Sequence, residues 1–148
     1  MNQANQQRTL PRPARILGYC GLIPFIFLPV AINFDVLSYS LGGHYFILYS
    51  AVILSFLGGV HWLNALQEQH DDKQIYVAML PSIVAWLSMI LLPPPWALSV
   101  LTLSHASVLL YDRNTLLVPA SWVKDYMALR IQLTSVVAIM HFLMLVLD

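Results

Sequence analysis

Charge is scarce in this sequence. Asp, Glu, Lys and Arg make up only 9% of its 148 residues, against 59% hydrophobic residues. A soluble domain carries roughly a quarter charged residues, and a globule of this length needs far more polar surface than this chain offers. A mean hydropathy of +0.71 agrees. The class that remains is an integral membrane protein, long enough for one compact domain. An excess of one charge sign is also missing: seven Lys and Arg face seven Asp and Glu, so no nucleic-acid partner is expected. The single cysteine, Cys20, excludes an intrachain disulfide framework and a Cys-based zinc site; within its apolar run it reads as a small core residue. Neither an H-E-x-x-H nor a G-x-S-x-G signature occurs, and Ser82 has no assigned base, so no enzyme chemistry is indicated.

Long apolar runs dominate what is there. A membrane-crossing helix needs about 20 mostly apolar residues, with a range of roughly 17–25, and five segments approach this: 16–34, 44–66, 75–92, 96–111 and 126–147. The fourth is short, which keeps a four-span chain with a re-entrant piece as the alternative. Pro93, Pro94 and Pro95 separate the third and fourth segments, because proline lacks the amide hydrogen and clashes with the preceding turn. Gly42 and Gly43 are expected to end the first connection, and the charged stretch Gln67 to Lys73 to leave the hydrocarbon. Pro24 and Pro29 are expected to kink the first helix without ending it. The fold expected is an all-α membrane protein: a tail over residues 1–14, then one domain over 15–148 forming a compact bundle of five transmembrane helices.

Basic residues orient it. With five spans, Arg8, Arg12, Arg15, Lys73, Arg113, Lys124 and Arg130 all fall on one side, and they are all seven Lys and Arg of the chain. That side is taken as cytoplasmic, with the N-terminus inside and Asp148 outside. The first segment has the basic lead of a signal peptide, but its length and the lack of an A-x-A-like site favour an uncleaved helix. The acid-free, arginine-bearing start also suits a mitochondrial presequence. It is short, so a bacterial inner membrane is expected and the mitochondrial inner membrane is the alternative.

Helices in lipid associate through close packing and interhelical hydrogen bonds, which small residues permit. Ala51, Ser55 and Gly59, with Gly58 alongside, mark such a face on the second segment; Ala78, Ser82 and Ala85 mark one on the third. Polar residues inside spans are costly and mark functional places or buried ties. His61 falls about 60° from Gly58 on a helical wheel and should point into the bundle. Thr102, His105 and Asp112 share a face, as do Arg130, Thr134, Ala138 and His141, and Arg15 neighbours Tyr19 at the inner end of the first segment. Arg15, His61, Ser82, Asp112 and Arg130 therefore outline a polar vestibule on the cytoplasmic side below a drier outer half. Ordinary interfacial charges and histidines bonded to backbone are the competing reading. Trp62, Trp96 and Trp122 lie near boundaries as a belt requires, while Trp86 is expected in the core.

The segments ARILGYCGLIPF (14–25), ILSFLGGVHW (53–62), PSIVAW (81–86), DR (112–113) and LRIQLT (129–134) resemble the domain-of-unknown-function 3429 family, which includes transmembrane protein 69-like proteins. The resemblance runs from Pro13 to Thr134 and implies a small multi-pass protein of bacterial or mitochondrial membranes, with no activity to carry over. Arg15, Gly58, Gly59, His61, Pro81, Ser82, Trp86, Asp112, Arg113 and Arg130 belong to it; His105 and His141 do not. Three functions compete. The first is a non-enzymatic scaffold or accessory subunit, partnered by lipid and by a larger complex or a second copy of itself. The second is a carrier of a small solute or proton, using the vestibule around His61. The third is a haem protein with His61 and His105 as axial ligands. No cofactor or metal is expected under the first two.

Overall fold

The computed structural model describes residues 10–68, 73–115 and 118–148, apart from the side chains of residues 67 and 68. Every regular element among these residues is an α-helix. Arg8, residues 69–72 of the charged connection, and residues 116–117 lie outside them.

The first span is broken rather than kinked. Helix α1 (Arg12–Cys20) stops, and α2 (Ile23–Asn33) begins after two intervening residues. Pro24 explains this, since it has no amide hydrogen to continue α1 and fits the first turn of a new helix. The break orphans little backbone, because the amides of Gly21 and Leu22 donate to Leu17 O and Tyr19 O at 3.0 Å each. Pro29 stays inside α2. The end of α2 is a Schellman motif: the amide of Asp35 donates to Ile32 O at 3.0 Å, and that of Val36 to Ala31 O at 2.9 Å. Asp35 takes the left-handed conformation this requires, with φ of 56°, which a short polar side chain tolerates better than a branched one.

Helix α3 (Tyr39–Glu68) starts earlier than expected. Gly42 and Gly43 do not end the connection but lie inside the helix. Ser38 supplies the start, accepting the Gly42 amide on its backbone oxygen at 2.9 Å, with the Leu41 amide directed at its Oγ, 3.4 Å away. The glycine at 42 serves packing instead: a Cβ there would lie 2.7 Å from Cδ1 of Ile32.

Helix α4 (Lys73–Leu91) ends just before the proline triplet, and α5 (Pro94–Thr115) begins within it. At 22 residues, α5 is not the short segment expected; at 1.5 Å per residue it spans about 33 Å. Its hydroxyls conceal themselves on the helix, with Ser99, Thr102, Ser104 and Ser107 each donating to the carbonyl four residues back. Helix α6 (Val123–Leu147) completes the chain. Among the described residues, four stretches combine the length and apolarity to cross a membrane: Arg12–Asn33, Tyr39–Leu66, Lys73–Leu91 and Val123–Leu147. Helix α5 has the length but also His105, Asp112 and a row of hydroxyls.

The molecule is thus an all-α, multi-span membrane bundle. Helix α3 packs on α2, α4 and α5, while α6 packs on α1, α2 and α5. One core joins Phe25 and Leu28 of α2, Phe46 and Leu54 of α3, Leu98 and Leu101 of α5, and Val137 and Met144 of α6. Helix α4 supplies Ala85 to that core and turns Ile83, Trp86 and Ile90 outward. Trp86, expected in the core, is 61% exposed: Ala85 already fills the inward position, and the next residue is rotated by about 100°. Cys20 is likewise exposed rather than buried.

Candidate functional site: a buried ion triad

Gly58 brings α3 and α4 together. A Cβ on Gly58 would stand 2.7 Å from the backbone oxygen of Ala78 and 3.3 Å from Pro81 Cβ. Gly59 takes no part in this contact, since a Cβ there would meet nothing within 4 Å. One residue of helical rotation separates the packed glycine from the exposed one. Ser55, a turn earlier, donates to Ala51 O at 2.9 Å, while Ala78, Ala85 and Ser88 are the buried small residues of α4.

Almost one turn after Gly58, His61 is enclosed, with 6% of its surface exposed. Its Nε2 lies 2.6 Å from Asp112 Oδ1 on α5. Arg130 of α6 takes the other carboxylate oxygen: Nε donates to Asp112 Oδ2 at 2.6 Å, and Nη2 lies 2.5 Å from the same atom. Asp112 and Arg130 are buried as well. The carboxylate can only accept, so His61 donates through Nε2, and Asp112 is clamped between two helices. One guanidinium balances one carboxylate, which lowers the heavy cost of burying either alone. The ring of Tyr111 meets His61 edge-to-face, with centroids 4.9 Å apart.

The other two residues expected around this vestibule lie elsewhere. Arg15 reaches Asp125 of α6 at 2.8 Å, and both side chains are substantially exposed. Beside them Tyr19 Oη donates to Gln132 Oε1 at 2.5 Å. This second polar cluster ties α1 to α6 at the rim. Arg15→Ala is expected to cost no more than about 1 kcal/mol in a micelle unfolding titration, since exposed ion pairs contribute little. Ser82 is half-buried on α4 and does not line the cavity beside His61.

A further polar group occupies the middle of the bundle, where a drier half was expected. His141 Nδ1 donates to Val137 O at 2.8 Å, which leaves Nε2 to accept from Ser50 Oγ at 2.9 Å. His105 Nδ1 donates to Leu101 O at 2.9 Å, and its buried Nε2 has no partner among the described residues. The two imidazoles lie 5.8 Å apart, with Phe25 against both. Removing the hydroxyl with Ser50→Ala leaves a second buried nitrogen unsatisfied, at an expected cost of about 1–3 kcal/mol, measurable as a lower unfolding midpoint. Ser50 was the missed residue; only its register on α3 relative to the paired glycines hinted at an inward face.

The cavity beside His61 measures about 330 Å³ and lies among α3, α4 and α5 without touching His105. Among the described residues, no group of three or more His, Cys, Asp or Glu is placed to hold a metal ion. A larger cavity of about 480 Å³ lies at the opposite end, between the start of α3 and the α4–α5 junction, with Tyr39, His44, Ser88 and Asp148 on its walls.

Bundle and triad together define a small multi-pass helical membrane protein. The chain belongs to the family described as protein of unknown function (DUF3429), whose model matches residues 10–146. It is also similar to Transmembrane protein 69 of Xenopus tropicalis, at 36% identity over 131 residues, covering 85% of this chain and 51% of that protein. The chain therefore spans about half the length of this curated relative. No solved structure matches it.

Proposed function

We propose that the protein is a non-enzymatic scaffold or accessory subunit, packing beside a larger membrane complex or a second copy of itself. The triad carries this reading. Both oxygens of Asp112 are already engaged, by His61 and Arg130, so its charge ties α3, α5 and α6 together rather than lining an open path. In this reading α5 is the fourth of five crossing spans and the basic rim is cytoplasmic, in a bacterial inner membrane; a mitochondrial inner membrane is the alternative. Native co-purification in mild detergent with mass spectrometry tests it: a stoichiometric partner or a stable homo-oligomer is expected, and a strictly lone monomer refutes it.

A carrier of a small solute or proton is the second reading, favoured by the cavity at His61 and by the buried His105 and His141 beyond it. Proteoliposomes test it. pH-dependent flux that disappears in His61→Ala would establish a carrier, and no flux in either protein would end this reading.

A further inference from the structure

The cavity beside His61 is unusual in what its walls can offer a ligand. Ser104 and Ser107 have their hydroxyl hydrogens on Val100 O and Leu103 O at 2.8 Å each, so each oxygen has only lone pairs to present. Val77 and Pro81, one turn apart on α4, both line the space. Pro81 has no amide hydrogen to give the carbonyl of Val77, so that oxygen lacks its ordinary helical partner. His61 donates through Nε2 to Asp112. Its ring is a wall of the cavity. The residues lining the cavity thus offer the acceptor oxygens of Ser104 and Ser107 and the freed carbonyl of Val77, against one side chain, Tyr111, whose hydroxyl hydrogen is not bonded among the described residues. Leu80, on the same wall, is 53% exposed, which puts the cavity within reach of the apolar outer surface of α4. Its volume, about 330 Å³, is at the small end of the roughly 300–1,000 Å³ typical of ligand sites.

We infer that this cavity binds a small, membrane-soluble alcohol or phenol, whose apolar body enters between α4 and α5 and whose hydroxyl donates to the acceptors around His61. An acceptor-only molecule of the same shape finds almost nothing to bond with. This site stands independently of the accessory role, since neither co-purification outcome alters it.

The full-length protein in detergent micelles, with empty micelles as control, tests this by saturation-transfer NMR. The probes are 4-propylphenol and its methyl ether, with 1-hexanol and its methyl ether in parallel. Saturable binding of at least one alcohol is expected, with its ether roughly five- to tenfold weaker, the worth of one net hydrogen bond. The pair that shows the difference tells an aromatic from an aliphatic ligand. Val84→Phe, which fills the cavity, should abolish binding; Ser104→Ala should weaken it about two- to fivefold. Far-UV circular dichroism confirms that each variant is folded, and Ser104→Ala decides if Val84→Phe is not. Ethers that match their alcohols, binding that survives Val84→Phe in folded protein, or wild-type affinity in folded Ser104→Ala overturns the inference.

Discussion

Asp112→Ala is expected to destabilise the bundle by about 3–5 kcal/mol, the cost of stranding a buried charge by removing its partner. The side chain of Asp112 is only 3% exposed, so water cannot replace it cheaply. The variant leaves the Arg130 guanidinium and the His61 N–H facing apolar surroundings with nothing to accept from them. Asp112→Asn retains an acceptor but not the charge, and should lose somewhat less. Adding Arg130→Met to Asp112→Ala should recover part of the loss, because the stranded cation is gone. A double-mutant cycle by reversible unfolding in mixed micelles checks this, with an expected coupling of at least about 1 kcal/mol. Strictly additive losses would mean that the pair is not energetically joined.

Gly58→Ala should cost about 1–3 kcal/mol, while Gly59→Ala should be neutral or stabilising. The obstacle at position 58 is the backbone oxygen of Ala78, 2.7 Å from the new Cβ, and a carbonyl in a packed helix cannot rotate away. The helices must separate, with the usual cost of overpacking. At position 59 the space is open, and alanine is a better helix former than glycine by about 1 kcal/mol. The same micelle unfolding measurement separates the two; equal effects would place the α3–α4 contact elsewhere.

The contrast between these glycines shows how far a sequence can be read. Spacing puts a small face on the second span, but two adjacent glycines share that signal, and only the position of α4 decides which is pressed. The proline triplet marked its break plainly, because Pro93 to Pro95 admit no helix through them. Pro24 was ambiguous, since a proline can kink a membrane helix or begin a new one, and its neighbours Gly21 and Leu22 decide the matter through bonds that spacing does not reveal. Helical periodicity put Asp112 and His105 on one face of α5 and Arg130 and His141 on one face of α6. It could not say that these faces meet, that His61 would reach Asp112 rather than His105, or that His105 would face His141. Arg15 was grouped with the triad by depth alone, yet the crossing of α1 over α6 gives it Asp125 instead.

If the triad acts as a tie and the protein works by packing, the titratable groups are replaceable as long as the bundle holds. Quantitative co-purification of wild type beside a charge-free His61→Phe/Asp112→Leu/Arg130→Met variant measures this directly. The expected result is the same partner, or the same homo-oligomer, at comparable stoichiometry from both. A folded variant that loses the assembly retained by the wild type would contradict it.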